Sequence, residues 1–433
     1  MNGEAPRAFI NARLVDPASG MDGRGAVLVA DGVIQDVGPG LFADGVPERV
    51  EAVDCQGRVL APGLIDMRVT LHETGETHKE NLQTASQAAI AGGITTMAVV
   101  PGPKQGIETP AQVEYLIARG RETGLTDVRP YGGITKGTAG ETLTEMGLLS
   151  EAGAVGFTDG NRALADADTL RRALTYITRF GVPLIQHPEE PSLAAEGQVN
   201  EGEISTRLGL KGIPAVAEVI MIERDVRLVE LTGGRYHAAH VSTAAGIDAI
   251  RAAKGRGLKV TCDTAPPYFG LNETAIGEYR TFAKLSPPLR SEEDRLAVIE
   301  GLRDGTIDAV ASDHLPQDPD SKRLPFAQAE PGAVGLETLL PLVLELHHGG
   351  VLTLDQALAK VTSAPAAILG LEAGRLAKGA PADLVLIDAE VPWVIREAGL
   401  VSKSKNTLFD GRPVQGRCLA TVFRGRTVYS TGA

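Results

Sequence analysis

Eight short apolar runs, each followed by a helix-length stretch, occupy roughly the middle 300 residues and point to a repeating strand–helix fold. The runs are Leu64–Leu71, Ile94–Val100, Asp127–Ile134, Ala154–Phe157, Pro183–His187, Tyr236–Val241, Lys259–Asp263 and Asp308–Asp313. Intervening segments such as ADTLRRALTYITRFG and TAAGIDAIRAAKGRG space their apolar residues at the helical period and end in Gly, a usual helix stop. This repetition predicts an α/β chain built on a (β/α)8 TIM barrel. A doubly wound open sheet competes, but no GxGxxG phosphate loop follows an early strand.

Both chain ends read as β-structure. FINARLVD, GAVLVADGVIQDVG and RVLAPG near the start, and ADLVLIDAE and GRCLATVFRGRTVYS near the end, alternate apolar and polar residues around turns such as Asp31-Gly32. Neither end buries a large core alone, so the two are expected to pair into one small β-sandwich. The expected division is residues 1–60 and 369–433 for the sandwich and 61–368 for the barrel.

Composition narrows the function classes. Lys and Arg number 42 against 55 Asp and Glu, a net charge of −13, which argues against nucleic-acid or anionic-membrane binding. Cys55, Cys262 and Cys418 lie far apart with no CxxC, so neither a disulfide framework nor a zinc finger is indicated. The first residues do not read as a signal peptide, and no run approaches 18 apolar residues. A soluble cytoplasmic protein is the expectation.

Barrel active sites sit at the C-terminal ends of the strands. Arg68, Thr70 and His72 fall there on the first strand, Asp159 after the fourth, His187 on the fifth, His240 on the sixth and Asp313 on the eighth. His and Asp bind zinc and transfer protons. Alternation along a strand would aim residues 68, 70 and 72 to one side, so Arg68 is expected to point inward with His72 and to pair with Asp313 or Asp159. Plainer readings apply elsewhere. His237 is expected to be structural, His347-His348 to lie solvated in a loop after a helix, and Cys262 to be core. Lys136 falls at the third strand rather than the fourth, which excludes it as a carboxylated metal bridge. Glu292-Glu293-Asp294 reads as a helix start, where carboxylates suit the dipole.

Longer stretches carry a resemblance. APGLIDM, AGGITTM, ITKG, GAVGFTD, AAHVSTAAG, TFAKLSPPLRSEEDR, ASDHLP, VGLET, KSKNTLFDG and GAPADLVLID resemble, in order and nearly end to end, the long-chain dihydroorotases of the amidohydrolase superfamily. The KSKNT-x-FDG tail favours dihydroorotase over hydantoinase. The resemblance implies that Asp159, His187 and His240 are metal-site residues, Asp313 the catalytic acid–base, and positions 68, 70, 72, 102, 286 and 317 part of the metal and substrate pocket.

The chain departs from that pattern where the chemistry would sit. Active members carry His-x-His and then Arg on the first strand, in a stretch like DMHVHLREPG; here the same places hold Arg68, Thr70 and His72. The substrate-holding Asn after the second strand is Gly102, the Asn before Pro-Pro-Leu-Arg is Ser286, and the His that closes Asp-His-Ala-Pro-His is Gln317. The usual Asp-Asp-Gly is Asp159-Gly160-Asn161, and a paired His has become Pro267-Tyr268. A catalytic zinc needs about three protein ligands and an open position for its water, and a permanent cation at 68 opposes a dication there. No cofactor is therefore expected, or zinc alone if Asp159, His187 and His240, with His72 or His78, keep a residual site. By resemblance, the chain is expected to be a catalytically vestigial structural partner of aspartate carbamoyltransferase in a homo- or hetero-oligomer. An active metal-dependent dihydroorotase with a rearranged site is the alternative. A third reading is a pocket that binds a small anion or ureide at Arg68 and His72 without reacting.

Overall fold

The structure, a computed structural model, describes residues 5–73, 75–102 and 106–431. Residues from both ends of the chain meet in one eight-stranded sheet. Its order runs Arg426–Ser430, Pro413–Phe423, Leu384–Val394, Val59–Pro62, Arg7–Asp16, Met21–Ala30 and Val33–Gly38, with Glu51–Asp54 also paired to Arg7–Asp16. The seam between the two ends is antiparallel, with Leu384 opposite Pro62 and Ile387 opposite Val59. Asp31 and Gly32 both take positive φ, +53° and +77°, the geometry that a two-residue hairpin turn requires. Phe9, Leu14, Val27, Ile34, Leu60, Leu384 and Val422 pack into the core of this domain.

The barrel begins immediately after the seam. Its strands are Leu64–Thr70, Ile94–Val100, Asp127–Pro130, Leu184–Gln186, Tyr236–Ala238, Val260–Thr264 and Ala309–Val310, and the paired ones run parallel. The fourth run, Ala154–Phe157, makes no regular strand; Phe157 bridges Gly132 on one side and Leu184 on the other. A parallel bridge from Val69 to His314 closes the ring. Inside it, Met67, Ala98, Tyr131, Ile185 and Ala309 pack together, and the Tyr131 hydroxyl donates to the Met67 carbonyl at 2.7 Å.

Side-chain caps start the surrounding helices. Asn81 forms a capping box ahead of Leu82–Ala91, and Thr109 forms one ahead of Pro110–Thr123. Ser291 caps Glu292–Arg303, whose first turn holds Glu292, Glu293 and Asp294, as the sequence reading expects. His347 and His348 form the last turn of the helix Leu339–His348 rather than the following loop. The apolar run LLPLVLEL carries the helix through them to Gly349. There His347 Nδ1 lies 3.3 Å from the Leu352 carbonyl and His348 Nε2 lies 3.0 Å from that of Ala389. Cys262 is fully buried core.

Candidate functional site at the barrel mouth

The centre of the mouth is occupied by a guanidinium. Arg68, 3 % exposed, donates through Nε to Asp313 Oδ1 at 2.9 Å and through Nη2 to Asn161 Oδ1 and, at 3.4 Å, the Gly160 carbonyl. Of the two expected partners, it is Asp313 that pairs with Arg68. Gly160 belongs to this cradle because φ there is +71° and a Cβ would come within 2.8 Å of the Pro101 carbonyl. Burial lifts the Asp313 carboxyl above the usual carboxylate range, and the Arg68 charge opposes that lift.

The two histidines of the fifth and sixth strands come together. His187 Nδ1 lies 3.1 Å from His240 Nε2. Such a bond needs one ring nitrogen unprotonated, and burial together with the Arg68 charge holds His240 well below the usual histidine range. The outer nitrogen of His187 faces Glu189 Oε2 at 3.5 Å and the Ser286 hydroxyl at 3.5 Å. Burial works to raise the Glu189 carboxyl, but the His187 contact overcomes it and the group ends below its ordinary range. His240 and Asp313 both hold left-handed backbone, φ +39° and +51°. Such conformations typically cost ~1–3 kcal/mol and cluster at functional sites.

Sequence reasoning passed over Asp263, which organises this end of the barrel. Its Oδ1 accepts the His240 backbone N–H, and its Oδ2 lies 3.1 Å from His237 Nε2. His237, fully buried, also meets Thr261 Oγ1 at 2.8 Å and is structural, as expected. Asp263 ends the run KVTCD, and an acidic residue closing a barrel strand was the available signal. Asn161 was likewise noted only as a departure from a motif.

The remaining expected site residues are placed elsewhere. Asp159 does not join the histidines: Oδ1 accepts the N–H groups of Ile134 and Thr135 at 2.8 and 2.9 Å, and Oδ2 accepts the Thr135 hydroxyl at 2.6 Å. Burial raises its carboxyl above the usual range, against those bonds. His72 does not point inward with Arg68. The strand stops at Thr70, so alternation no longer governs the side chain two residues on. His72 instead lies against Glu76, with Nδ1 3.9 Å from Oε2, and lines a cleft of about 190 Å³ with Leu71, Val100, Gly102 and Tyr115. Thr70 is buried and its N–H bonds the His314 carbonyl. His78 is exposed and faces Asp318. Gln317 donates through Nε2 to the Pro331 carbonyl, 2.9 Å away. Lys136 is exposed at the start of a short 3-10 turn.

The KSKNT tail braces the mouth from outside. Asn406 accepts the Gln317 N–H and donates to the carbonyls of Leu315 and Gly332, while Ser402 donates to Glu80 and Ser404 to the Lys79 carbonyl. Two loops of the mouth are thereby fixed by a segment of the C-terminal domain.

A catalytic zinc does not fit the residues present. Among the described residues, no group of three or more His, Cys, Asp or Glu side chains is placed to hold a metal ion. Asp159 spends both oxygens on Ile134 and Thr135, the facing nitrogens of His187 and His240 are bonded to each other, and Arg68 puts a fixed positive charge beside them. What the arrangement supplies is a buried Arg68–Asp313 ion pair beside two imidazoles hydrogen-bonded to each other.

Three comparisons bear on kinship. Residues 57–245 match the dihydro-orotase-like family, and residues 337–429 match the amidohydrolase family. The dihydroorotase of Pelobacter propionicus is 48 % identical over 419 residues, covering 97 % of this chain and 98 % of that one. That of Anaplasma phagocytophilum is 47 % identical over 425 residues, 98 % of this chain and 95 % of the other. The L-hydantoinase (dihydropyrimidinase) of Arthrobacter aurescens superposes with a TM-score of 0.86 at 25 % identity, over 99 % of this chain and 97 % of that one. The dihydropyrimidinase of Brevibacillus agri, at 22 % identity and TM-score 0.82 over 98 % and 95 % of the two chains, shares the fold.

Proposed function

Because the chain belongs to the dihydroorotase family of amidohydrolases, we propose that it is a member whose barrel mouth has lost hydrolytic chemistry and that it serves pyrimidine biosynthesis as a structural subunit. The observation that carries this reading is the Arg68–Asp313 pair at 2.9 Å. The catalytic acid–base of the family pattern is bound to a permanent cation, and that cation stands where the first of the two metal-binding imidazoles of the first strand would be, with Thr70 at the place of the second. Without a metal to lower its pKa, water at neutral pH is a poor nucleophile, and a neutralised Asp313 does not make up the difference. Retention of the whole scaffold then points to surface function, and the partner of choice by family resemblance is aspartate carbamoyltransferase.

The second reading is an active dihydroorotase, interconverting N-carbamoyl-L-aspartate and L-dihydroorotate. The naming of relatives at 48 % and 47 % identity favours it. One set of measurements separates the two. The purified chain is assayed for bound zinc by elemental analysis and for dihydroorotate hydrolysis, and is then run on a sizing column with aspartate carbamoyltransferase. The proposal expects no stoichiometric metal, no turnover and co-elution. Bound zinc with turnover would replace it by the second reading, and absence of co-elution would remove the partner.

A further inference from the structure

A groove that shares no residue with the barrel-mouth site lies between the C-terminal strands and the helix Leu339–His348. Its volume is about 290 Å³, and Leu340, Leu400 and Trp393 line it together with Arg396, Arg417 and Tyr429. The rim is apolar as well, Val394 and Val401 being 37 % and 45 % exposed. Trp393 is held in place: Nε1 donates to the Gly416 carbonyl at 2.8 Å, and the Arg417 guanidinium stands 5.4 Å from the ring centroid. Arg417 also hydrogen-bonds the Tyr429 side chain. Both arginines are exposed, and neither has an ion-pair partner among the described residues. The acid in the lining, Glu337, spends its two oxygens on the N–H groups of Val401 and Ser402, each at 2.8 Å. In a chain whose net charge is −13, this groove presents two cations without carboxylates.

We propose that this groove binds a small aromatic acid, its ring filling the apolar floor and its carboxylate or phosphate held by Arg396 and Arg417. Charge complementarity selects an anion. Guanidinium forks match the oxygens of carboxylate and phosphate, and charge-assisted bonds of that kind are the strong ones. Size selects a small molecule over a protein segment, since the volume falls at the lower end of the ~300–1,000 Å³ typical of ligand pockets. A lining that is aliphatic and aromatic, with a few convergent polar groups, is the usual make-up of such a site. Arg417 is already ordered against Trp393 and Tyr429, so little side-chain freedom is lost when the anion arrives. Leu400 and Val401 run directly into Ser402–Asn406, the segment that braces the mouth, which places the bound molecule at the root of that brace. The proposal holds whether or not the barrel mouth is catalytic.

Trp393 is the only tryptophan in the chain, so its emission reports on this groove. The full chain is titrated with phenyl phosphate and with benzoate, followed by tryptophan emission and by calorimetry. At least one of the two is expected to shift the emission and to reach half-saturation at or below about 1 mM, and the tighter one identifies the acid group. Inorganic phosphate, which lacks the ring, and benzyl alcohol, which lacks the charge, should each bind at least ~10-fold more weakly. Arg396→Met and Arg417→Met should each weaken the aromatic acid at least ~10-fold; both side chains are exposed, so unchanged thermal unfolding serves as the folding control. Failure of both acids to bind by calorimetry up to about 10 mM overturns the proposal. So does binding indifferent to both arginine variants, which would put the anion elsewhere on the chain. Inorganic phosphate binding as tightly as phenyl phosphate would overturn it too, leaving an adventitious ion only.

Discussion

Arg68→Met tests the central interaction of the barrel mouth. The substitution keeps most of the side-chain volume and removes the charge, leaving Asp313 without its donor. Breaking a buried ion pair by deleting one member costs about 3–5 kcal/mol, chiefly because the surviving charge is left uncompensated. Arg68 is 3 % exposed and Asp313 17 %, and the partial exposure of the carboxylate places the expectation at the lower end, ~3 kcal/mol near pH 8. The loss should depend on pH with a definite sign. Burial raises Asp313 and Arg68 opposes that, so removing Arg68 raises the folded-state value further. The folded chain then binds the Asp313 proton more tightly than the unfolded chain, whose value is about 3.9. Stability of the variant should accordingly fall as pH rises between those two values, by up to ~1.4 kcal/mol per unit, and recover on acidification. Urea unfolding of wild type, Arg68→Met, Asp313→Asn and the double variant, between about pH 5 and pH 8, gives both the cost and the coupling. The double variant should regain most of the loss. If Arg68→Met lies within ~0.5 kcal/mol of wild type at pH 8 with no added pH slope, the guanidinium is not what neutralises Asp313 and the reasoning is refuted.

Three further outcomes are expected. Arg68→His combined with Thr70→His should give no dihydroorotate turnover even with zinc supplied, since His72 has turned to Glu76 and Gly102 offers no side chain for substrate; turnover in a hydrolysis assay would show that two imidazoles were the only deficit. Lys322 is buried with its ammonium on the carbonyls of Thr281 and Glu330, and burial presses its pKa down to about 7. The folded chain thus holds fewer protons than the unfolded one from about pH 7 to about pH 10. That group makes stability rise with pH across the window by up to ~1.4 kcal/mol per unit, and denaturant titrations of Lys322→Met should show the slope reduced by about that amount. Gly92→Ala should destabilise the chain by ~1–3 kcal/mol although φ there is an ordinary −85°, because the new Cβ would stand 2.1 Å from the Leu336 carbonyl; an unchanged unfolding midpoint would contradict the close approach of those two backbones.

Much of this architecture is legible from local pattern. Alternation at both ends and the strand–helix repeat in the middle are period signals, and they place the first two barrel strands within a few residues, while the acidic run at Glu292 marks a helix start. The fourth barrel run is less so: Ala154–Phe157 touches its neighbours through Phe157 alone, a pairing decided by the strands on either side and invisible along the chain. At the site, the inward turn of Arg68 toward a carboxylate follows from charge and from the phase of a strand, whereas the choice of Asp313 over Asp159 is made by the fold. The turn of His72 does not, since nothing in the residue types marks Thr70 as the last residue of regular pairing. Asp159 illustrates the other limit. Its residue type suits a metal, but its hydrogen bonds come from Ile134 and Thr135, some 25 residues away, and only the folded chain brings those donors within reach. Asp263 was missed for the converse reason, its role being to hold a backbone N–H and a structural histidine.

The antiparallel seam between Val59–Pro62 and Leu384–Ile387 sets the timetable on which the chain can mature during synthesis. The early strand leaves the ribosome about 320 residues ahead of its mate, which at ~5–20 residues per second is roughly 15–65 seconds of unsatisfied backbone along one edge. Emergence of Leu384–Ile387, rather than of the barrel, is therefore the moment at which the amino-terminal strands gain their permanent neighbour, and a ribosome stalled before residue 384 presents an open, adhesive edge to chaperones.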